Sequence, residues 1–252
     1  MSAEFRELPD FDHSLCRITA AASFDDLSSV VAEMRSAYGL AHIVYHAVHI
    51  PGGAPANPIL IPTYSPEWVE RYKARDYFRI DPVVLAGRKS SLPVDWSDVD
   101  RESKDARDFF KQADRFEVGR HGVTLPIRAA AGERALLTIT SNKSAKDWQR
   151  VRGTYIREFQ TFASYLHDRA CILSGYRSTD DGPALSPREL QCLELMAHGF
   201  VPKRTAEHLG ITDDAVRMYL RSACCKLKCA TSHQAIAKLI HREIIDPKFI
   251  YN

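Results

Sequence analysis

A glycine turn near the C-terminus is the feature that most constrains this chain. The segment from about Lys203 to Leu209 forms a short amphipathic stretch that ends at Gly210-Ile211, a pair typical of a tight turn. Thr212 can cap the helix that follows, and Asp213 and Asp214 suit the positive end of its dipole. A short helix, a glycine turn and a polar-capped helix together predict a helix-turn-helix, so we expect a small helical bundle here.

Two further helices flank this motif and give a four-helix module over residues 185–252. The first opens at Ser186, with Pro187 in its first turn and Glu189 as the capping-box partner, and it ends near Gly199.

The third helix of the module, which begins after Thr212, has an apolar and a cationic side. Its predicted buried residues are Ala215, Val216, Leu220 and Leu227, and its projecting cations are Arg217, Arg221 and Lys228, with Lys226 nearby. Long cationic side chains on such a helix suit DNA phosphates and base edges, and they equally suit a plain solvated face.

A change of composition separates this module from the rest of the chain. Ser, Gly, Asp and Pro crowd together between residues 174 and 184 without periodicity, which predicts a linker. The formal net charge is only +2, so a nucleic-acid site must be a local patch. No apolar run approaches membrane-spanning length, the first residues lack the layout of a signal peptide, and the six cysteines show no disulfide pattern. We therefore expect a cytoplasmic protein.

The residues before the linker, 1–173, alternate between helical and strand patterns. The predicted helices run from Ser23 to Gly39, from Ser65 onward, and from Ser144 to about Leu173. The predicted strands are 40–50, which leads into a turn at Pro51-Gly52-Gly53, and then 116–127 and 133–142, which residues 129–132 join. Helices before and after antiparallel strands predict an α+β fold, with an α/β/α sandwich around an antiparallel sheet.

The spacing of apolar and polar residues in the C-terminal module matches a known pattern. The matching residues are Leu185, Glu189, Leu193, Gly199, Ala206, Leu209, Val216 and the Lys226-Leu227 pair. With these residues the module resembles the LuxR-type helix-turn-helix domain. It departs from the family at Phe200-Val201-Pro202 and at Ala215, which leaves the DNA sequence that it reads open.

This resemblance implies double-stranded DNA as a partner. The residues expected to contact DNA are Thr212, Arg217, Arg221 and Lys226. Paired recognition helices imply a homodimer on a two-fold-symmetric site, with the aromatic helix from Asp147 as a candidate interface. RNA polymerase is a further expected partner.

Aromatic residues and an Asp-Pro pair recur at fixed intervals in the N-terminal domain. They are Tyr64, Trp68, Tyr72, Asp81-Pro82, Trp96 and Phe109, followed by Ala113, the GVTLP run from Gly122, and Thr138. With these residues the domain resembles the autoinducer-binding domain of LuxR-type quorum-sensing regulators, which bind N-acyl-homoserine lactones. A phosphorylation-controlled receiver domain is disfavoured, because the acidic pair Asp25-Asp26 opens a helix and alternating strands and helices are missing.

The chemistry of an acyl-homoserine lactone suits these side chains. The Asp81 carboxylate can accept a hydrogen bond from the ligand's amide, and the Trp68 indole can donate to the lactone carbonyl. The Tyr64 hydroxyl can donate to the acyl carbonyl, with help from Thr138. The set is completed by the pocket-wall residues Tyr72, Val83, Trp96, Phe109 and Ala113, whereas Tyr77 and Phe78 are expected to pack the core. Taken alone, an aspartate before a proline is also typical of a turn or a helix end.

Two other functions stay open. An enzyme that cleaves lactones or amides with that aspartate and a histidine is disfavoured, because GxSxG, HExxH and phosphate-binding glycine loops are missing. A DNA-binding protein whose N-terminal domain only dimerises is the simpler alternative. We expect no metal and no cofactor beyond the effector. Cys225 and Cys229 lack paired CxxC spacing, and His42, His46 and His49 fall on a strand that sends His49 to the opposite face.

Overall fold

The structure is a computed structural model that describes residues 11–50, 59–129, 132–176, 184–241 and 244–245. The chain forms two compact units, and the main division falls between Arg177 and Ser178. The predicted turn Pro51-Gly52-Gly53, residues 130–131 of the second turn and residues 177–183 of the linker lie outside the described residues. Within the described residues, none of the helices is both long and apolar enough to cross a membrane.

The first unit is built on a five-stranded antiparallel sheet with the strand order β2-β1-β5-β4-β3. Its strands are β1 (His42–His49), β2 (Ile59–Pro62), β3 (Val94–Asp95), β4 (His121–Arg128) and β5 (Arg134–Ser141). The prediction of a strand over 116–127 is wrong at its start, because Glu117 and Gly119 have φ angles of 54° and 123° that turn the chain before β4. The prediction of an α+β fold with an antiparallel sheet is confirmed.

Six α-helices accompany the sheet in the described part of this unit. They are α1 (Phe11–Ala20), α2 (Phe24–Ala37), α3 (Pro66–Ala74), α4 (Pro82–Lys89), α5 (Lys104–Arg115) and α6 (Ala145–Leu173). Ser23 caps α2 in a capping box with Asp26, and Ser144 caps α6, as predicted. Helices α1, α4 and α5 were not predicted from the sequence.

The alternation of side chains along the strands gives the sheet two different faces. Ile43, Tyr45 and Ala47 point to one face, where α1, α2 and α6 cover the main core. Val44 and His46 point to the other face, over which α4 packs. That second face carries a separate aromatic cluster, formed by Trp68, Tyr77, Val83, Trp96, Val99, Phe109, Phe110, Ala113 and Val118. The unit is therefore layered as helix, sheet and helix.

The aromatic stripe of α6 is used inside the unit. Trp148, Phe159, Phe162 and Leu166 are at most 2% exposed, because they pack into the main core. These side chains are not available to a second copy of the chain. The homodimer stays a prediction, and an interface on α6 would have to use its other side, where Tyr165 is 46% exposed.

The second unit is helical throughout its described residues. Its helices are α7 (Pro187–Ala197), α8 (Pro202–Leu209), α9 (Asp213–Lys226) and α10 (Ser232–His241). Ser186 and Glu189 form the predicted capping box, Gly210 has a φ of 64° at the turn, and Thr212 caps α9.

The buried stripe of α9 differs from the predicted one at two positions, Ala215 and Ala223. The stripe is formed by Val216, Leu220, Ala223 and Leu227. Ala215 is only half-buried, so its predicted burial is wrong. Steps of three and four residues keep the stripe on one side of the helix, and Ala215 falls at its edge.

Candidate functional site

A small cavity lies between the second face of the sheet and the segment from α3 to α4. Its volume is about 60 Å³. Side chains of β1, β2 and β5 form its floor, and aromatic residues of α3, α5 and the 3-10 turn Tyr77–Arg79 form much of its wall. Most of the predicted ligand-binding residues line this aromatic cavity, namely Tyr64, Trp68, Tyr72, Asp81, Val83, Trp96, Phe109 and Thr138.

Ala113 is the predicted ligand-binding residue that is not among the cavity-lining side chains. It lies one turn after Phe109 on α5 and is 4% exposed. It packs in the aromatic cluster, which includes the cavity-lining ring of Phe109. Its place in the pocket wall stays a prediction, and in the structure it packs behind the wall, within the cluster.

Phe78 lines the cavity, contrary to the prediction that it packs the core together with Tyr77. Both residues lie in the 3-10 turn, where successive side chains point about 120° apart. Tyr77 therefore enters the aromatic cluster, whereas the Phe78 ring turns to the cavity. The centroid of that ring lies 4.6 Å from the Tyr72 ring and 4.8 Å from the His46 ring.

Asp81 has two structural roles at the cavity wall. Its Oδ1 accepts hydrogen bonds from the backbone N–H groups of Val83 and Val84 at 2.8 and 3.3 Å. These bonds cap α4, with Pro82 in the first helical position. Its Oδ2 accepts a hydrogen bond from the Tyr72 hydroxyl at 2.7 Å. The Asp-Pro pair is thus a helix end, and the same carboxylate faces the cavity.

Burial controls the ionisation of the polar groups around the cavity. Burial raises the pKa of Asp81 from 3.8 to about 6, although hydrogen bonds from Tyr72, Val83 and Val84 act in the opposite direction. Burial also raises the pKa of Tyr72 well above its ordinary value, and the Asp81 charge adds to this effect. The pKa of Tyr64 is raised for the same two reasons. Both phenols therefore keep their protons at neutral pH and can donate.

A hydrogen-bonded chain positions a further polar group at the cavity. The indole Nε1 of Trp96 donates to Thr124 Oγ1 at 3.3 Å, and that oxygen lies 2.9 Å from Thr138 Oγ1. Thr124 is fully buried and pairs directly with Thr138 across β4 and β5. Thr124 thus holds the hydroxyl of Thr138, a role that its place in the GVTLP run could have suggested.

His46 is a cavity residue outside the predicted ligand-binding set. It is 4% exposed and lies on the floor, where its strand partners Leu60 and Leu136 also line the cavity. The alternation of β1 puts His42 and His46 on one face, and this signal could have placed His46 beside the ligand. His42 instead lies within hydrogen-bond distance of two backbone carbonyl oxygens.

The second unit presents a cationic side on α9. Arg217 and Arg221 are exposed, and Met218 beside them is 56% exposed. Arg217 forms an ion pair with Asp213 at 2.9 Å. Exposed pairs of this kind contribute little to stability, so the guanidinium can exchange its partner for a phosphate. Thr212, at the start of the same helix, is exposed as well.

Lys226 differs from these arginines because its ammonium is already engaged. Its Nζ lies 2.8 Å from Glu189 Oε2 and 3.1 Å from Ala184 O. Burial alone would raise the pKa of Glu189, but hydrogen bonds from Lys226, Ser222 and Ser186 outweigh it and lower that pKa to about 2. The pair ties α9 to the start of α7. A DNA contact by Lys226 stays a prediction, and it would compete with this pairing.

Comparison with protein families gives a description in two parts. Residues 23–170 match the family described as autoinducer binding domain, and residues 183–239 match bacterial regulatory proteins, luxR family. The transcriptional activator protein RaiR of Rhizobium etli is 49% identical over 185 residues, which cover 73% of this chain and 76% of that protein.

Two solved structures resemble the whole chain or its larger part. SdiA of Escherichia coli in complex with octanoyl-rac-glycerol matches with a TM-score of 0.65 at 16% identity, covering 98% of this chain and 99% of SdiA. The N-acylhomoserine lactone dependent LuxR family transcription factor CepR2 of Burkholderia cenocepacia matches with a TM-score of 0.53 at 20% identity, covering 64% of this chain and 95% of CepR2. At these identities the likeness concerns the fold alone.

Proposed function

We propose, on the premise that this chain belongs to the LuxR family of bacterial regulatory proteins, that it is an N-acyl-homoserine lactone receptor that binds a two-fold-symmetric DNA site as a homodimer. Membership of the family already makes it a transcriptional regulator rather than an enzyme, with DNA and a small-molecule effector as partners. Beyond this, we propose that the effector is an N-acyl-homoserine lactone and that the DNA site and the protein dimer are two-fold symmetric. We place the ligand-binding domain at residues 1–173, the linker at 174–184 and the DNA-binding domain at 185–252. We also propose RNA polymerase as a partner.

The observation that carries the proposal is a buried acceptor that shares an apolar cavity with buried donors. The Oδ2 of the Asp81 carboxylate accepts one hydrogen bond, from the Tyr72 hydroxyl, and can accept a second, which leaves room there for the ligand's amide N–H. Trp68 and Tyr64 are the proposed donors to the lactone and acyl carbonyls. The aliphatic residues of the floor, Val44, Leu60 and Leu136, suit an acyl chain. The acyl compound bound to SdiA and the lactone dependence of CepR2 support a neutral amphiphile as the ligand class.

The volume of the cavity implies that ligand binding moves its wall. A cavity of about 60 Å³ is far smaller than the ~300 Å³ at the lower end of ligand pockets. The floor is held in the hydrogen-bonded sheet, whereas the wall from α3 to α4 consists of two short helices joined through one 3-10 turn. We therefore expect residues 66–89 to move outward on binding and to gain protection from hydrogen exchange.

Ligand-linked thermal unfolding tests this proposal. The three tryptophans, Trp68, Trp96 and Trp148, all lie in the first unit, so their fluorescence follows its unfolding. In a panel of N-acyl-homoserine lactones with different acyl groups, at least one should stabilise the unit, by about 2.7 kcal/mol at 100 times Kd. Asp81→Ala should abolish this shift, and Asp114→Asn, an exposed position on α5, should keep it. No shift across the panel, or a full shift in Asp81→Ala, would contradict the assignment.

The fate of the bound lactone separates a receptor from a hydrolase. After incubation with the protein, mass spectrometry should recover the stabilising lactone unchanged. An opened lactone ring or a cleaved amide would instead favour the enzyme alternative, provided that Asp81→Asn abolished the turnover.

The salt dependence of DNA binding tests the second unit. Arg217→Gln and Arg221→Gln should each weaken binding and reduce the slope of log K against log salt by about 1, because each removes a cation that replaces condensed counterions. Arg188→Gln, an exposed position on α7, is the matched control and should leave the slope unchanged. Equal DNA affinity with and without lactone would favour the alternative in which the first unit only dimerises.

A further inference from the structure

Three metal-ligating side chains converge on the face of the sheet opposite the aromatic cavity. Glu133 lies just before β5, and His167 and Cys171 lie on α6. Their ligand atoms are all within 4.8 Å of one another, and the residues are 3%, 2% and 0% exposed. Neither the proposed ligand site nor the DNA-binding surface uses them. We propose that Glu133, His167 and Cys171 bind a divalent transition-metal ion, of which zinc is the best match.

The distances between these side chains suit a tetrahedral ion. His167 and Cys171 are four residues apart, so they lie one above the other on the same side of α6. The Cys171 Sγ lies 3.7 Å from the His167 Nε2. Zinc–sulfur and zinc–nitrogen bonds of about 2.3 and 2.1 Å at a tetrahedral angle place their two ligand atoms about 3.6 Å apart. The Sγ also lies 3.9 Å from the His167 Nδ1, so it stands beside the ring, and the imidazole must turn before Nε2 and Sγ can bind one ion.

A buried phenol fixes which imidazole nitrogen faces the ion. The Tyr45 hydroxyl oxygen lies 2.7 Å from the His167 Nδ1, and Tyr45 is fully buried. When Nε2 binds a metal, Nδ1 carries the proton and donates it to the Tyr45 oxygen. A hydrogen bond on the second nitrogen is the usual partner of a metal-bound histidine, because it fixes the tautomer and the ring orientation.

The charges and the ligand types favour a divalent transition metal. A thiolate and a carboxylate together contribute two negative charges, which a divalent ion neutralises inside a core where isolated charges are costly. The mixture of sulfur, nitrogen and oxygen ligands suits zinc better than magnesium or calcium, which prefer oxygen. Three protein ligands leave the fourth tetrahedral position to a water molecule.

The alternative is a metal-free polar cluster in which the same groups keep their protons and bond to one another. Cobalt binding distinguishes the two. The full-length protein, stripped with a chelator, is titrated with Co²⁺, and the thiolate-to-cobalt charge-transfer band and the d–d bands of a tetrahedral ion are recorded. Zn²⁺ should then displace the cobalt at about one ion per chain, measured by mass spectrometry of the metal.

Two cysteine variants assign the site. Cys171→Ser should remove the charge-transfer band and lower the bound metal at least tenfold. Cys16→Ser, an exposed cysteine on α1 outside the cluster, should keep both. A wild-type protein without the band, or a band that survives in Cys171→Ser, would overturn the proposal.

A measurement on the wild-type protein keeps the proposal testable if Cys171→Ser fails to fold. X-ray absorption of the zinc-loaded chain should show one sulfur ligand, with nitrogen and oxygen as the others. Two or more sulfur ligands would overturn the proposal, because they would place the ion at the cysteines around the end of α9, Cys224, Cys225 and Cys229.

Discussion

Replacing Asp81 by Asn removes a buried negative charge from the aromatic cavity and keeps a side-chain oxygen for the cap of α4. Asn and protonated Asp are nearly equal in size, and Asn is as good an N-cap residue as Asp. The substitution therefore isolates the energetic effect of the charge. We expect the ligand-free variant to be more stable than the wild type, although it should bind the lactone more weakly because its acceptor is neutral.

The magnitude follows from the pKa of Asp81. Burial raises that pKa from 3.8 to about 6, although three hydrogen bonds lower it. A difference of about two pH units, at ~1.4 kcal/mol per unit, means that ionised Asp81 costs the folded unit about 3 kcal/mol relative to the protonated form. At neutral pH, Asp81→Asn should therefore raise the free energy of unfolding by up to about 3 kcal/mol.

The pH dependence gives the sign of the same effect. Because the pKa of Asp81 is higher in the folded state, the protonated carboxyl stabilises the fold fully below pH 3.8. That contribution is lost as the pH rises through about 6. The unfolding free energies of the wild type and of Asp81→Asn should therefore agree at the acidic end of this window and separate as the pH rises.

Urea unfolding of the ligand-free chain, followed by tryptophan fluorescence, measures both effects. All three tryptophans report on the unit that contains Asp81. Asp114→Asn should follow the wild type at every pH, since it changes an exposed carboxylate. An Asp81→Asn protein that is less stable than the wild type at neutral pH would refute the reasoning. It would show that the hydrogen bonds of the carboxylate outweigh the loss of its hydration.

Three further predictions concern the cavity and the second unit. Tyr72→Phe removes the hydroxyl that donates to Asp81, so the pH window of unfolding should move upward and lactone affinity should fall in calorimetry; an unmoved window would contradict this. Gly122→Ala places a Cβ 2.6 Å from the Trp96 ring. It should displace that ring and lower the free energy of urea unfolding by about 1–3 kcal/mol, and unchanged stability would refute the clash. Glu189→Gln removes the charge that pairs with a lysine of α9, so thermal unfolding by circular dichroism should show a loss of roughly 2 kcal/mol. The difference in stability between the wild type and Glu189→Gln should disappear as the pH falls from 4.5 through about 2, because the carboxylate becomes protonated. A stability difference that persists at that pH would contradict the ion pair as its cause.

Local signals were sufficient for most helices and for the turn between α8 and α9. Ser23, Ser65, Ser144, Ser186 and Thr212 each precede an apolar periodic run, and each caps a helix in the structure. Ser103 caps α5 in the same way, so that helix carried the same signal in its sequence. A helix cap is a contact within four residues, and sequence spacing alone can therefore reveal it.

The directions of several side chains could not be predicted, because they are set by contacts between residues that are distant in the sequence. Phe78 faces the cavity because a 3-10 turn, rather than an α-helix, follows α3. Lys226 is engaged because Glu189, 37 positions earlier, reaches it from α7. The Glu133 cluster shows the same limit. The i, i+4 spacing of His167 and Cys171 is visible in the sequence, but the third ligand comes from the start of β5 and becomes a neighbour only in the folded unit.

The choice of residue at the start of α4 connects the fold to the proposed ligand. The other helices of the first unit whose side-chain caps the structure describes begin with a hydroxyl, at Ser23, Ser65, Ser103 and Ser144. A hydroxyl satisfies the first N–H groups of a helix as well as a carboxylate does, and it carries no charge to desolvate. Asp81 instead places an ionisable group in a cavity wall, where ionisation costs about 3 kcal/mol. The cap needs only Oδ1, so the helix does not require the second oxygen, and the favourable interaction of the charge with the helix dipole, about 0.3–1 kcal/mol, is smaller than the cost of its burial. The position of the second oxygen beside Tyr72 suits an acceptor that becomes fully compensated when a ligand amide donates to it.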